Sequence, residues 1–310
     1  MTTSAPLRTL IPATLLLAVA VALAFAPDAY LPMLARAFLL QWCSAFGAVA
    51  VLMVWRGHWW TAGASFLGCV LILPQYQLPV STTGTTEGGP SLRIAQINVF
   101  QMNLKRDEVL RCALASGADV LSVQEVDAAW ADALRSGLEQ YYPFMHVVPQ
   151  GNCYGMALFS KHPFTEVHTH MVSDVPYIEA LLCTPDGPLR VLSVHATSPI
   201  TYDHFQRRNT LLRSVAARIA AAHIPTVMIG DLNTVHWDGA YKRFSAQSGL
   251  RPVNTPGLRT WPHVGPLALI PIDHVFVSPG LVATGVQHFT IPGSDHRGLR
   301  ATIHLNDHAS

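Results

Sequence analysis

The chain has 310 residues, half of them apolar and 13 % charged, with a formal net charge of +1; that length allows one large or two ordinary domains. Residues 1–90 hold three basic residues (Arg8, Arg36, Arg56) and two acidic ones (Asp28, Glu87), which leaves 17 of each sign in 91–310 and argues against tight nonspecific nucleic-acid binding, which needs a basic surface. The five cysteines have no metal-site spacing and leave an odd number in the polar part, which excludes a disulfide framework.

The first ninety residues carry three apolar runs, over about 10–26, 37–55 and 59–76. A helix needs roughly 20 apolar residues to cross a bilayer, with about 17 as the lower limit. The first two runs reach that limit, and Trp59, Trp60 and Tyr76 extend the third as interfacial aromatics. The pattern predicts a membrane anchor over 1–80 with three spans. A cleaved signal peptide with Arg8 before Leu10–Ala26 is the rival, weakened by the two apolar runs that follow. Arg8 and the loop of Arg56 and His58 place the amino end inside, with Arg36 against; the later domain then lies outside the cytoplasm of a bacterial plasma membrane. Residues 81–91, STTGTTEGGPS, form a flexible linker.

Beyond it, Leu92–Val99 alternates as a strand, and Arg106–Ser116 has helical spacing ended by Gly117. Asp119–Val126 is a strand, and Ala128–Leu138 a helix. Short strands follow at Phe144–Val148, Met156–Ser160, Phe164–Met171, Tyr177–Cys183 and Leu189–His195, then a long amphipathic helix over Tyr202–Ala222. The strand of TVMIGD, a helix near Gly239–Ser248 and strands at Ile272–Ser278 and Leu299–Leu305 complete the chain. Helices separate only some of the strands, which predicts a two-sheet sandwich with helices outside.

Several of these strands end in residues too polar to be filler: Asn98, Glu125, His195, Asp231 with Asn233, and Asp273. Ser294, Asp295 and His296 precede the last strand. A carboxylate that orients water and an amide that donates to a phosphoryl oxygen suit phosphate-ester chemistry. Each alone has a structural explanation, as a helix cap or a hydrogen-bonded core residue. Asn103 is either a further polar contact or a helix cap. Trp237 and Asp238 open the next helix.

The ordered set Asn98, Glu125 in VQEV, His195 in SVHATSP, Asp231 and Asn233 in GDLN, Asp273 in IDHVFVS, and SDH at 294–296 resembles the endonuclease/exonuclease/phosphatase superfamily, the DNase I-like enzymes, in a membrane-anchored bacterial subset. The resemblance covers about 92–305 and implies a four-layer α/β/β/α sandwich with the site where strand ends of both sheets meet. It implies metal ligation at Glu125, with Asn98 beside it and Asp295 completing the site, by Mg²⁺ with Mn²⁺ as the alternative. It gives Asp231 to the attacking water, Asn233 to a phosphoryl oxygen, His296 paired with Asp273, and His195 to the other flank of the phosphate. The general-base role stays divided between Asp231 and His296. Phe100 stands where apurinic endonucleases carry an acid, which puts a second metal in doubt.

The expectation is a membrane-anchored, divalent-metal-dependent phosphoesterase. In-line attack of water on a lipid-like or small phosphodiester is ranked first and on nucleic acid second. A catalytically silent, membrane-tethered module that binds a phosphate ligand is the alternative of another class.

Overall fold

The computed structural model describes residues 5–76, 91–185, 187–253 and 257–305. The expected linker therefore lies outside the described residues, except for Ser91. The chain divides into two compact units, one of residues 1–78 with Trp237–Gly239 and one of the remainder.

The first unit is helical: α1 (Ala5–Phe25), α2 (Tyr30–Arg36), α3 (Leu39–Trp55) and α4 (Trp59–Ile72). α4 packs against both α1 and α3, and Gly68 lets the Phe46 ring and Ala20 approach its backbone. No single described helix is long and apolar enough to cross a membrane; Leu10–Phe25 and Tyr30–Arg36 meet the requirement only as a pair bent by 105°. The three apolar runs expected as spans over 10–26, 37–55 and 59–76 each hold one helix, α1, α3 and α4, and the seven-residue α2 is an additional one. Pro27, which cannot continue a hydrogen-bonded turn, lies at the break between α1 and the unpredicted α2.

The second unit holds two six-stranded sheets. Its elements in chain order are β1 (Ser91–Asn98), α5 (Arg106–Ala115), β2 (Val120–Gln124), α6 (Ala128–Leu138), β3 (Phe144–Val148), β4 (Met156–Ser160) and β5 (Phe164–Val172). They continue with β6 (Val175–Thr184), β7 (Gly187–His195), α7 (Tyr202–Ala220), β8 (Thr226–Asp231), α8 (Gly239–Ser248) and β9 (Arg251–Pro252). The chain closes with β10 (Trp261–Val264), β11 (Leu267–Ile270), β12 (Asp273–Val277), β13 (Leu281–Thr290) and β14 (Arg297–Leu305). The first sheet runs β13-β14-β1-β2-β4-β3 and the second β5-β6-β7-β8-β12-β9, with β10 and β11 as a separate hairpin. Both sheets are mixed: β1 and β2 are parallel, as are β7 and β8, among antiparallel neighbours.

Alternation along the strands sorts their side chains into cores. Leu92 and Ile94 of β1, Val120 of β2, Val191 of β7, Ile229 of β8 and Val275 of β12 meet between the sheets. The opposite parity, Ala95, Ile97, Leu121 and Val123, packs under Val109 of α5 and Trp130 and Leu134 of α6. Leu192, Val194, Met228 and Phe276 pack under Leu212 and Val215 of α7 and Phe244 of α8. Helices therefore cover the outer face of each sheet, the α/β sandwich expected.

Candidate active site

The alternation that builds the inter-sheet core also aims the polar residues. Asn98 continues the inward series of Ile94, His195 that of Val191, Asp231 that of Ile229, and Asp273 begins the series of Val275. Register brings them level: His195 pairs with Asp231 and Asp231 with Asp273 across three adjacent strands. On the facing sheet Asn98 pairs with Gln124, the residue before Glu125, and His296 immediately precedes β14. The site lies at this end of the sandwich.

Backbone geometry at these strand ends is unusual. Gly230 has φ +149, and a Cβ there would collide with the Val194 carbonyl of the parallel strand; only glycine tolerates both conditions. Phe100, Glu125 and Asn233 have φ of 59, 64 and 47 without being glycine, a left-handed conformation that costs energy and clusters at functional sites.

One network connects the residues expected in the site. Asp273 Oδ2 accepts from His296 Nδ1 at 2.9 Å, and the other ring nitrogen, Nε2, lies 3.6 Å from Asp231 Oδ2. His195 Nε2 approaches the same oxygen at 3.7 Å. Asn98 donates Nδ2 to Glu125 Oε1 at 3.0 Å and to Asp231 Oδ2 at 3.4 Å, while its Oδ1 accepts from the Phe100 amide at 3.0 Å. That last bond fixes which end of the amide faces the acids. Asp231 Oδ1 accepts from the Asn233 amide at 2.9 Å, and the Asn233 side chain donates to the Ala196 carbonyl at 2.8 Å.

Burial and neighbours set the charges. Burial, and then the Asp273 carboxylate, raise the Asp231 pKa well above the usual carboxylate range. Burial acts against ionisation of Asp273 too, but the His296 imidazolium outweighs it and lowers the pKa. Burial opposes charge on His296; Asp273 and then Asp231 overcome it and raise the pKa to about 10. Burial holds His195 below the ordinary histidine value. The site thus combines a carboxylate of raised basicity, a persistent imidazolium and a neutral imidazole.

Asp295 is placed differently from the others. Its Oδ2 accepts from the Trp261 indole at 2.9 Å, a partner on the unpredicted hairpin, and its Oδ1 is buried without a hydrogen-bond partner among the described residues. Asn103 is a polar contact and not a helix cap, since the N-cap of α5 is Lys105, whose side chain makes no capping bond: its Oδ1 accepts from Lys105 N, and its Nδ2 donates to Val99 O and Pro292 O. Gln96, absent from the sequence-based set, donates to Asp273 Oδ1 at 2.8 Å; a glutamine inside an alternating strand gives no signal of its own.

The carboxylates bear on whether a hard divalent cation suits this chain. Each oxygen of Glu125 accepts a hydrogen bond, from Asn98 or from Gln101 N, and retains a lone pair; Asp295 Oδ1 is a buried acceptor with no partner among the described residues. Ligand-capable atoms of Asp231, Asp273 and His296 also lie within 4.8 Å of one another. These oxygen-rich donors fit Mg²⁺ or Mn²⁺ and not a thiolate zinc site. A separate open cavity of about 570 Å³, lined by Arg190, His223, Gln247 and Ser278 among others, lies at the opposite end of β7 and β8 and holds none of these acids.

Two sheets with covered outer faces, and an Asp–His pair beside a second acid and a second histidine at the strand ends, form a site suited to phosphate-ester hydrolysis. The chain belongs to the endonuclease/exonuclease/phosphatase family, whose model matches residues 95–296, and that family comprises metal-dependent phosphoesterases and nucleases. No curated protein matches its sequence. Among solved structures it is similar to D. rerio TDP2 complexed with a single-strand DNA product (17% identity, 69% of this chain and 99% of that one, TM-score 0.59). It is similar also to sphingomyelinase C from Streptomyces griseocarneus (19% identity, 69% and 99%, TM-score 0.54). A third is a beta toxin mutant of Staphylococcus aureus with bound magnesium ions (15% identity, 68% and 99%, TM-score 0.54). At these identities the likeness concerns the fold.

Proposed function

We propose that the chain is a membrane-anchored phosphodiesterase that cleaves a lipid-like or small phosphodiester by in-line attack of water. The observation that carries this reading is the convergence of His195 Nε2 and His296 Nε2 on Asp231 Oδ2, at 3.7 and 3.6 Å. A phosphoryl group placed over that oxygen has an imidazole on each flank. Asp231, made more basic by burial, orients the water and takes its proton. Asp273 fixes the His296 ring, whose imidazolium stabilises charge on the phosphoryl oxygens, while His195 and the Asn233 amide address the other side. Glu125 with Asp295 would hold the divalent cation, Asn98 orienting the Glu125 carboxylate through its amide; the cation supplies Lewis-acid neutralisation of the phosphate.

The lipid-like preference rests on the rim. Met102 and Leu104 follow β1, Ile200 and Tyr202 follow β7, and Val264 and Leu267 border the hairpin turn; all are 61–80 % exposed. Each of these three segments is joined to the site end, through Asn103, through His195, or through Trp261 and Asp295. Exposed apolar side chains on segments that lead into a polar site suit a substrate with an acyl or other apolar part better than a polyanion. The near-neutral charge of 91–310 points the same way. For the anchor, the bent pair α1–α2 and the short apolar α3 are the candidate membrane segments, with the catalytic unit outside the cytoplasm.

Purified protein with Mg²⁺ is to be assayed against lipid head-group diesters, phosphoinositides and plasmid DNA, beside Glu125→Ala, Asp231→Ala and His296→Ala. Lipid-diester turnover that each substitution lowers by about 100-fold or more is expected. Undiminished turnover in all three variants would sink the mechanism, and rapid plasmid nicking with no lipid product would reverse the substrate order.

A further inference from the structure

Gln96 is fully buried on the inter-sheet face of β1, two residues before Asn98. Its Nε2 lies 2.8 Å from Asp273 Oδ1 and 2.8 Å from Gln124 Oε1. Gln124 Nε2 in turn donates to Ser122 Oγ at 2.6 Å, and Ser122 Oγ meets Ser193 Oγ of the other sheet at 2.6 Å. A buried polar chain therefore starts at the Asp273–His296 pair and runs inward to a bond between the sheets. The orientation of the Gln96 amide follows from its partner: turned over, its carbonyl would face a carboxylate.

Stability explains this arrangement poorly. Gln96 Oε1 is left buried with no partner among the described residues, at a typical cost of about 1–3 kcal/mol. What the arrangement achieves is geometric. His296 Nδ1 holds Oδ2 and Gln96 holds Oδ1, with the Thr260 hydroxyl a further partner, so rotation of the Asp273 carboxylate would break hydrogen bonds and the imidazole plane is held with it. Nε2 then points to Asp231 Oδ2 at 3.6 Å.

We propose that Gln96 is a positioning residue, whose amide locks the Asp273 carboxylate so that His296 presents Nε2 to the reacting side of the site. The inference rests on the hydrolytic reading above. Gln96 touches neither substrate nor metal and acts through Asp273. An orienting group that holds a catalytic base or acid in place is the general form of the device.

The test compares Gln96→Met, unbranched and similar in length but without a donor, with Ser193→Ala, which cuts the same polar chain at its far end. With Mg²⁺ and an activated phosphodiester, Gln96→Met is expected to lower kcat by about 10–100-fold and leave KM within about twofold. The downfield proton resonance of His296 Nδ1–H should shift or vanish in Gln96→Met, while Ser193→Ala keeps both kcat and resonance. Gln96→Asn keeps the amide but falls short by one methylene, and it must repeat the change in resonance. If Gln96→Met does not fold, Gln96→Asn decides. Retention of kcat and resonance in the folded Gln96 variant overturns the proposal, as does an equal loss in Ser193→Ala. If the wild type turns over no phosphodiester, the hydrolytic reading fails separately, and the resonance comparison still decides whether Gln96 holds His296.

Discussion

Asp273 and His296 form their 2.9 Å pair almost without solvent, with side-chain exposures of 0% and 5%. A buried ion pair is strongly destabilising to break from one side, because the remaining charge is left uncompensated. The pKa of His296, raised from 6.5 to about 10 in the folded chain, makes this stability depend on pH. A group whose folded pKa is raised contributes fully below its unfolded value and loses that contribution as pH rises through the folded one. Wild type and His296→Gln are therefore expected to differ most in denaturant stability near pH 6, and the gap should narrow toward pH 10. A gap that widens with pH would show the pair is not an imidazolium–carboxylate. Much of this site was legible because a polar residue ending an apolar strand is a local signal, and Asn98, His195 and Asp231 each carry it, while Asp273 stands at the start of β12. The Trp261 partner of Asp295 was not, since that bond spans 34 residues to a hairpin with little sequence pattern.

Among the elements, β7 and α7 do most to join the site to the rest of the second sheet, and Arg190 is what ties them. It is 3 % exposed and donates Nε to Thr226 Oγ1 at 2.9 Å. Its guanidinium also reaches the carbonyls of Arg218, Ile219 and Ala222 at the end of α7. The last carbonyls of a helix have no partner within it and carry partial negative charge, so a buried cation there satisfies both needs. Glu179 Oε1 lies 3.6 Å from the same group. Arg190→Met should cost about 3–5 kcal/mol by chemical denaturation, yet leave kcat nearly unchanged at low temperature, because Arg190 is at the far end of β7 from His195. A loss below about 1 kcal/mol would mean the carbonyls find other partners. The helices that flank the sheets were readable from periodicity, and α6 and α8 match their expected bounds. β13 was not read: Gly285 and a register shift between Thr284 and Gln287 interrupt its alternation. The four-residue strands β10 and β11 are too short to show a period, and α2 was hidden inside what looked like connecting loop.

At the scale of the whole chain, the three hydrophobic cores of the second unit are built entirely from residues between Leu92 and Ile303. Among the described residues none of these three cores takes a member from the four amino-terminal helices, and the family match begins at residue 95. A domain that buries its own core folds alone, so a chain starting at Pro79 is expected to fold and to turn over a soluble phosphodiester. Its behaviour toward a substrate in vesicles should differ. If α1–α4 tether the enzyme to a bilayer, tethering raises the effective concentration of the site there without any new contact. The truncated chain should then lose vesicle sedimentation, and its turnover of a lipid diester in vesicles should fall by about 100-fold or more, the scale set by lost effective concentration. Equal turnover by both chains on vesicles would detach the amino-terminal helices from substrate access and leave the exposed rim as the sole route to the lipid.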